Sequence, residues 1–111
     1  MVNWPAIIKR YDDVELIYVS DQSEWDNDAD LHYVEYDESD CLIDSSGNIY
    51  VLTKRSDDTV KPQANGNSMS LNEILVLVKA HAAQKGSCCV SKLYTPTIDD
   101  AFKIVESLSE T

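Results

Sequence analysis

The stretch Cys41-Leu42-Ile43-Asp44-Ser45-Ser46-Gly47-Asn48-Ile49-Tyr50-Val51-Leu52 decides the fold. Two short runs of β-branched, leucine and aromatic side chains flank Asp44-Ser45-Ser46-Gly47-Asn48, whose residues accept positive φ or bond locally to the backbone. The pattern predicts a β-hairpin with strands over residues 41–44 and 48–53. A helix anywhere in this stretch would overturn the architecture built outward from it.

Upstream, Ile7-Ile8 and Val14-Glu15-Leu16-Ile17-Tyr18-Val19 read as two strands, 5–10 and 14–19, joined by the polar turn Tyr11-Asp12-Asp13. Pro5 stands at the head of the first, where its missing N–H is tolerated. Ser20 to Asp30 is polar apart from Trp25 and reads as a helical turn or a loop, and Leu31 to Tyr36 supplies a further strand over 32–36. Downstream, Thr53 to Met69 reads as a long polar connection, of the kind that is functional or mobile in so small a domain.

Ser70-Leu71-Asn72-Glu73 fits a capping box. The helix it opens, 71–85, carries Leu71, Ile74, Leu75, Val78 and Ala82 on one stripe and ends near Gly86, with Lys79, His81 and Lys85 complementing the dipole in its later turns. Ser87 to Tyr94 reads as a strand over 88–94. Thr97-Ile98-Asp99-Asp100 opens a second helix, 98–109, with Ile98, Ala101, Phe102, Val105 and Leu108 as its apolar stripe. Strands first and then helix, strand, helix is the order of an α+β domain. The expected architecture is a mostly antiparallel sheet of about five to six strands with two C-terminal helices on one face.

The chain has 111 residues, 43% of them apolar, which suits one domain over 1–111 that buries roughly two-thirds of its unfolded surface. Three cysteines, Cys41 and the adjacent pair Cys88 and Cys89, make no regular disulfide framework and fit a reducing cytoplasm. The N-terminus has no signal-peptide pattern, and no apolar run approaches the roughly 18 residues that span a bilayer.

Twenty Asp and Glu against nine Lys and Arg give a net charge of −11. The imbalance lies in residues 12–44, which hold 13 of the acids and no Lys or Arg. Interleaved with Leu16, Ile17, Tyr18, Val19, Trp25, Leu31, Tyr33, Val34 and Tyr36, this block is a folded surface rather than an acidic tail. Such a face repels phosphate backbones and anionic lipid, which argues against direct nucleic-acid or membrane binding. It either solvates the protein or docks a basic partner. The candidate docking residues are Asp21, Glu24, Trp25, Asp26, Asp28 and Asp30.

Asp26-Asn27-Asp28-Ala29-Asp30 also matches the start of a calcium loop, with Asp37 at its twelfth position. Leu31 stands where the sharp turn needs Gly, and Asp37 is shorter than the usual closing Glu, so Asp26, Asp28, Asp30 and Asp37 are weak metal candidates. Nucleophilic catalysis would rest on Cys88 with His81 brought round the turn at Gly86. A surface histidine and buried thiols explain the same residues more simply. No Gly-rich phosphate loop, C-x-x-C or nucleophile elbow is present, no cofactor is implied, and the expectation is a protein that is not an enzyme.

The opening Trp4-Pro5-Ala6-Ile7-Ile8-Lys9, the following Val14-Glu15-Leu16-Ile17-Tyr18 and the helix start Ser70-Leu71-Asn72-Glu73-Ile74-Leu75 resemble a small gammaproteobacterial domain family of unknown function. The resemblance covers nearly the whole chain and implies a bacterial, single-domain, cytoplasmic protein with no assigned activity. The leading functional expectation is a non-catalytic binding or adaptor module whose acidic face docks a basic protein surface. An immunity-like or nucleic-acid-mimicking inhibitor is a special case of it. The alternative is a calcium- or magnesium-dependent protein or enzyme using the Asp26 to Asp30 loop.

Overall fold

A computed structural model describes residues 2–56, 58–86 and 92–109. At its centre β1 (Ala6–Lys9), β2 (Leu16–Val19), β3 (Cys41–Asp44) and β4 (Asn48–Val51) pair antiparallel. A short ribbon of β5 (Arg55–Ser56) and β6 (Thr59–Val60) follows, and then β7 (Gln63–Ser68) joins the free side of β4. The sheet order is β2-β1-β3-β4-β7. The α+β expectation holds, and α3 (Leu71–Gln84) and α4 (Ile98–Ser109) begin where their caps predict. Ser70 and Glu73 satisfy each other's backbone N–H in a complete capping box, and the Thr97 hydroxyl accepts the Asp100 N–H at 3.1 Å.

The pleat sorts the core into two layers. Register places Ile7, Leu16 and Ile43 on one face, where they meet Ile74, Leu75 and Val78 of α3 and Ala101, Phe102 and Val105 of α4. Ala6, Ile8, Val19, Leu42 and Tyr50 point to the other face and pack with Trp25, Leu31, Leu52 and Val60. Both faces of the sheet are therefore covered, the second by the acidic segment itself.

The hairpin turn shows why glycine is needed at one position. Gly47 has φ +86°, and a Cβ there would lie 2.4 Å from the Met69 carbonyl oxygen, which leads into α3. The same turn is held by the fully buried Asp44. Its carboxylate accepts the Asn3 N–H at 3.1 Å, the Ser46 and Asn48 N–H groups at 3.0 Å each, and the Tyr50 hydroxyl at 2.9 Å.

Two expectations are corrected, and a third lies largely beyond the described residues. Leu31 to Tyr36 is not a strand: α1 (Gln22–Asn27) and α2 (Ala29–Tyr33) are short helices, and the chain leaves α2 at Val34. Adjacent Leu31 and His32 are both buried while Tyr33 is exposed, a pattern that strand alternation forbids. Thr53 to Met69 contains β5, β6 and β7 instead of forming one long loop. The strand expected over 88–94 falls largely on residues outside those described, and Lys92 to Tyr94, which are described, form no strand.

Edge strand β2 carries a further device. The Leu16 N–H donates to His81 Nδ1 of α3 at 2.9 Å, and the Ser20 N–H just past the strand donates to Glu24 Oε1 of α1 at 2.8 Å. Residues 16, 18 and 20 point their amides the same way along an extended strand, so these two side chains close the outward edge at either end.

Candidate interaction face

The acidic segment folds as α1, α2 and the chain around Asp37 to Asp40, and much of its charge has local backbone work. Asp21 caps α1 by accepting the Glu24 N–H at 2.8 Å, and Asp28 caps α2 by accepting the Asp30 N–H at 3.0 Å. Asp13 and Asp37 accept the N–H two residues on, and Glu24 accepts from Ser20. Asp40, only 2% exposed, takes the Tyr11 and Asp37 N–H groups and an ion pair from Arg10 at 3.2 Å. With Asp44, seven of the 13 acids hold backbone N–H groups.

The α1–α2 pair is fixed to the sheet by aromatic packing. Trp25 is 2% exposed, with its ring centroid 6.5 Å from that of Trp4 and 5.0 Å from that of His32, the latter edge-on at 70°. Trp4 donates its indole N–H to the Gln22 amide oxygen at 3.2 Å. His32 lies between layers: its Nε2 is 2.7 Å from the Trp25 carbonyl, and its Nδ1 accepts the Val60 N–H at 2.9 Å. Those partners assign the neutral Nε2–H tautomer. The buried imidazole thus ties α2 to β6 and presents no free nitrogen.

Of the residues singled out from the sequence, Asp21, Glu24, Asp26, Asp28 and Asp30 are exposed on α1 and α2. Asp21, Glu24 and Asp28 share one shallow depression with Ser20, Ser23 and Asn27. Asp26 lies apart, bonded to Gln22 Nε2 at 2.9 Å. Trp25 faces the core and offers nothing to a partner. Asp26 to Asp30 is the junction between two helices, with the Asp28 carboxylate turned to a backbone N–H. Among the described residues no group of three or more His, Cys, Asp or Glu side chains is placed to hold a metal ion. Cys88, the partner considered for His81, lies outside the described residues.

The sequence reading missed a cleft of about 480 Å³ between α2 and the β5–β6 ribbon, lined by Ala29, His32, Tyr33, Glu35, Arg55, Asp58 and Thr59. Arg55 is anchored in its wall by hydrogen bonds from one guanidinium nitrogen to the His32 and Val34 carbonyls. Tyr33 is 80% exposed beside it. Asp58, at φ +67°, turns the ribbon, a conformation that Asp tolerates better than most side chains. The legible signals were Asp28 as a helix cap and Asp58 as a turn residue between Arg55-Ser56 and β-branched Thr59-Val60.

The fold is similar to that of a solved structure. The NMR structure of a protein from Shewanella amazonensis matches with a TM-score of 0.70 and 25% sequence identity, covering 96% of this chain and 90% of that one. No curated protein matches the sequence. Among the described residues no helix is long and apolar enough to cross a membrane. The profile of the DUF4144 family, described as a protein structure with unknown function, matches residues 4–105, and the chain belongs to that family.

Proposed function

We propose that this protein is a non-catalytic binding module that docks a basic protein surface through the exposed carboxylates of α1 and α2. One observation carries the reading: Asp21, Glu24, Asp26, Asp28 and Asp30 are all exposed on a helix pair pinned to the sheet by Trp25 and to the β5–β6 ribbon by His32. Charge held on a fixed platform steers and orients a partner of opposite sign, whereas the same charge on a loose segment mainly solvates. The absence of Lys or Arg between residues 12 and 44 leaves this field uncancelled within the segment.

The test is affinity capture from native cell extract at low and at high salt, with the wild type beside an Asp26→Asn/Asp30→Asn double variant. Among the described residues neither carboxylate accepts a backbone N–H, so the variant keeps both helix caps. The reading expects basic proteins that are lost at high salt and lost from the variant. Capture that ignores both salt and the substitutions, or no capture, overturns it.

A further inference from the structure

We infer that the cleft between α2 and the β5–β6 ribbon is an anchor pocket for a single basic side chain, a lysine or arginine of the docked partner. The inference rests on the docking reading and names where on the partner's surface that reading is most specific.

The argument is what the lining groups are free to do. His32 has both ring nitrogens occupied, and Thr59 donates its hydroxyl to the Ser56 carbonyl at 2.6 Å. Arg55 already holds two carbonyls of the wall, at His32 and Val34. The side chains of Tyr33, Glu35 and Asp58 differ: among the described residues none of the three has a hydrogen bond or ion pair, and all are exposed at the cleft. Two unspent carboxylates against one engaged guanidinium leave the cleft net negative, with an uncovered aromatic ring at its side.

That combination is complementary to a cation on an apolar stem. The stem packs along the ring of Tyr33, the charged head meets the quadrupole of its face, and Glu35 and Asp58 accept hydrogen bonds from the head. A neutral or acidic side chain gains from the ring alone and leaves the carboxylates unmatched. The position suits a docked partner too, because Ala29 to Glu35 continue directly from the acids of α1 and α2. Tyrosine in a concave site is also the residue type in which binding energy concentrates.

The test is a titration of the full chain, followed by amide chemical shifts, with acetyl-Gly-Arg-Gly-amide and, as control, the same peptide with norleucine for arginine. The expected result is saturable shifts at Ala29, Tyr33 and Thr59 with the arginine peptide and none with norleucine. Tyr33→Ala should weaken the arginine peptide about fivefold, the scale of one exposed cation–π contact. Glu35→Gln with Asp58→Asn should weaken it further, Asn being a side chain that tolerates the positive φ at position 58. A melting temperature no lower than that of the wild type in each variant shows that the fold is intact. Shifts spread over all the carboxylates, equal response to both peptides, or binding unaffected by these substitutions overturns the pocket. If extract capture responds to Asp26→Asn/Asp30→Asn while the cleft variants change nothing, the docking reading stands and the pocket alone falls.

Discussion

His81 shows how much one side chain can bear. It is fully buried in the last turn of α3, its Nδ1 accepts the Leu16 N–H, and its Nε2 has no partner among the described residues. Burial pushes its pKa below the ordinary imidazole value, Lys85 pushes the same way, and Glu15 and Asp13 pull against them. The unfolded chain therefore takes up this proton at higher pH than the folded one. Stability from the neutral imidazole is complete above about pH 6.5 and is lost as the pH falls below it, at no more than about 1.4 kcal/mol per pH unit. Melting curves from pH 7.5 to 5.5 should show that fall. His81→Asn, which keeps an acceptor near the Nδ1 position and cannot titrate, should flatten it. Asp44 bears a different load: Asp44→Ala removes the acceptor that serves three backbone N–H groups and the Tyr50 hydroxyl, and denaturant titration should show a loss of at least about 3 kcal/mol.

Among the elements, helices with matched ends are the most predictable. Ser70→Ala removes the hydroxyl that accepts the Glu73 N–H and should cost about 1 kcal/mol in the same measurement. Gly47→Ala should cost about 2 kcal/mol or more, since it forces a side chain into a left-handed backbone facing the Met69 carbonyl. The helices α3 and α4 and the strands β1 to β4 were legible because cap, stripe and turn agree at each of them. The run Leu31 to Tyr36 misled because β-branched and aromatic residues there suggest a strand, whereas the Asp28 cap and the tertiary contacts of Leu31 and His32 impose a helix. Gln63–Ser68 gave no signal at all: every residue of β7 is exposed, and only backbone pairing to β4 makes it a strand. The carboxylates of α1 and α2 were visible as charge, but Trp25 was not readable as core because its neighbours Trp4 and His32 are distant in sequence. The cleft was invisible for the same reason, being made by two segments, one misread as strand and one as loop.

For the molecule as a whole, seven structural carboxylates do not abolish the repulsion of a net charge of −11. Raising sodium chloride from a few millimolar to 0.15 M shortens the screening length to about 8 Å and should raise the melting temperature. With no three acids placed to hold an ion among the described residues, calcium and magnesium at equal ionic strength should add little beyond sodium. A rise of many degrees with micromolar calcium alone would contradict that.

The closed side of β2 has a consequence for how copies of this chain can associate. A fibre built by joining sheets edge to edge needs two open sides on every subunit, one to receive and one to pass on. Of the outward amides of β2 and its end, His81 and Glu24 occupy those of Leu16 and Ser20 and leave that of Tyr18, while the opposite side, β7, meets β4 through a register shift. Open-ended growth through β2 would first require α1 and α3 to let go of it.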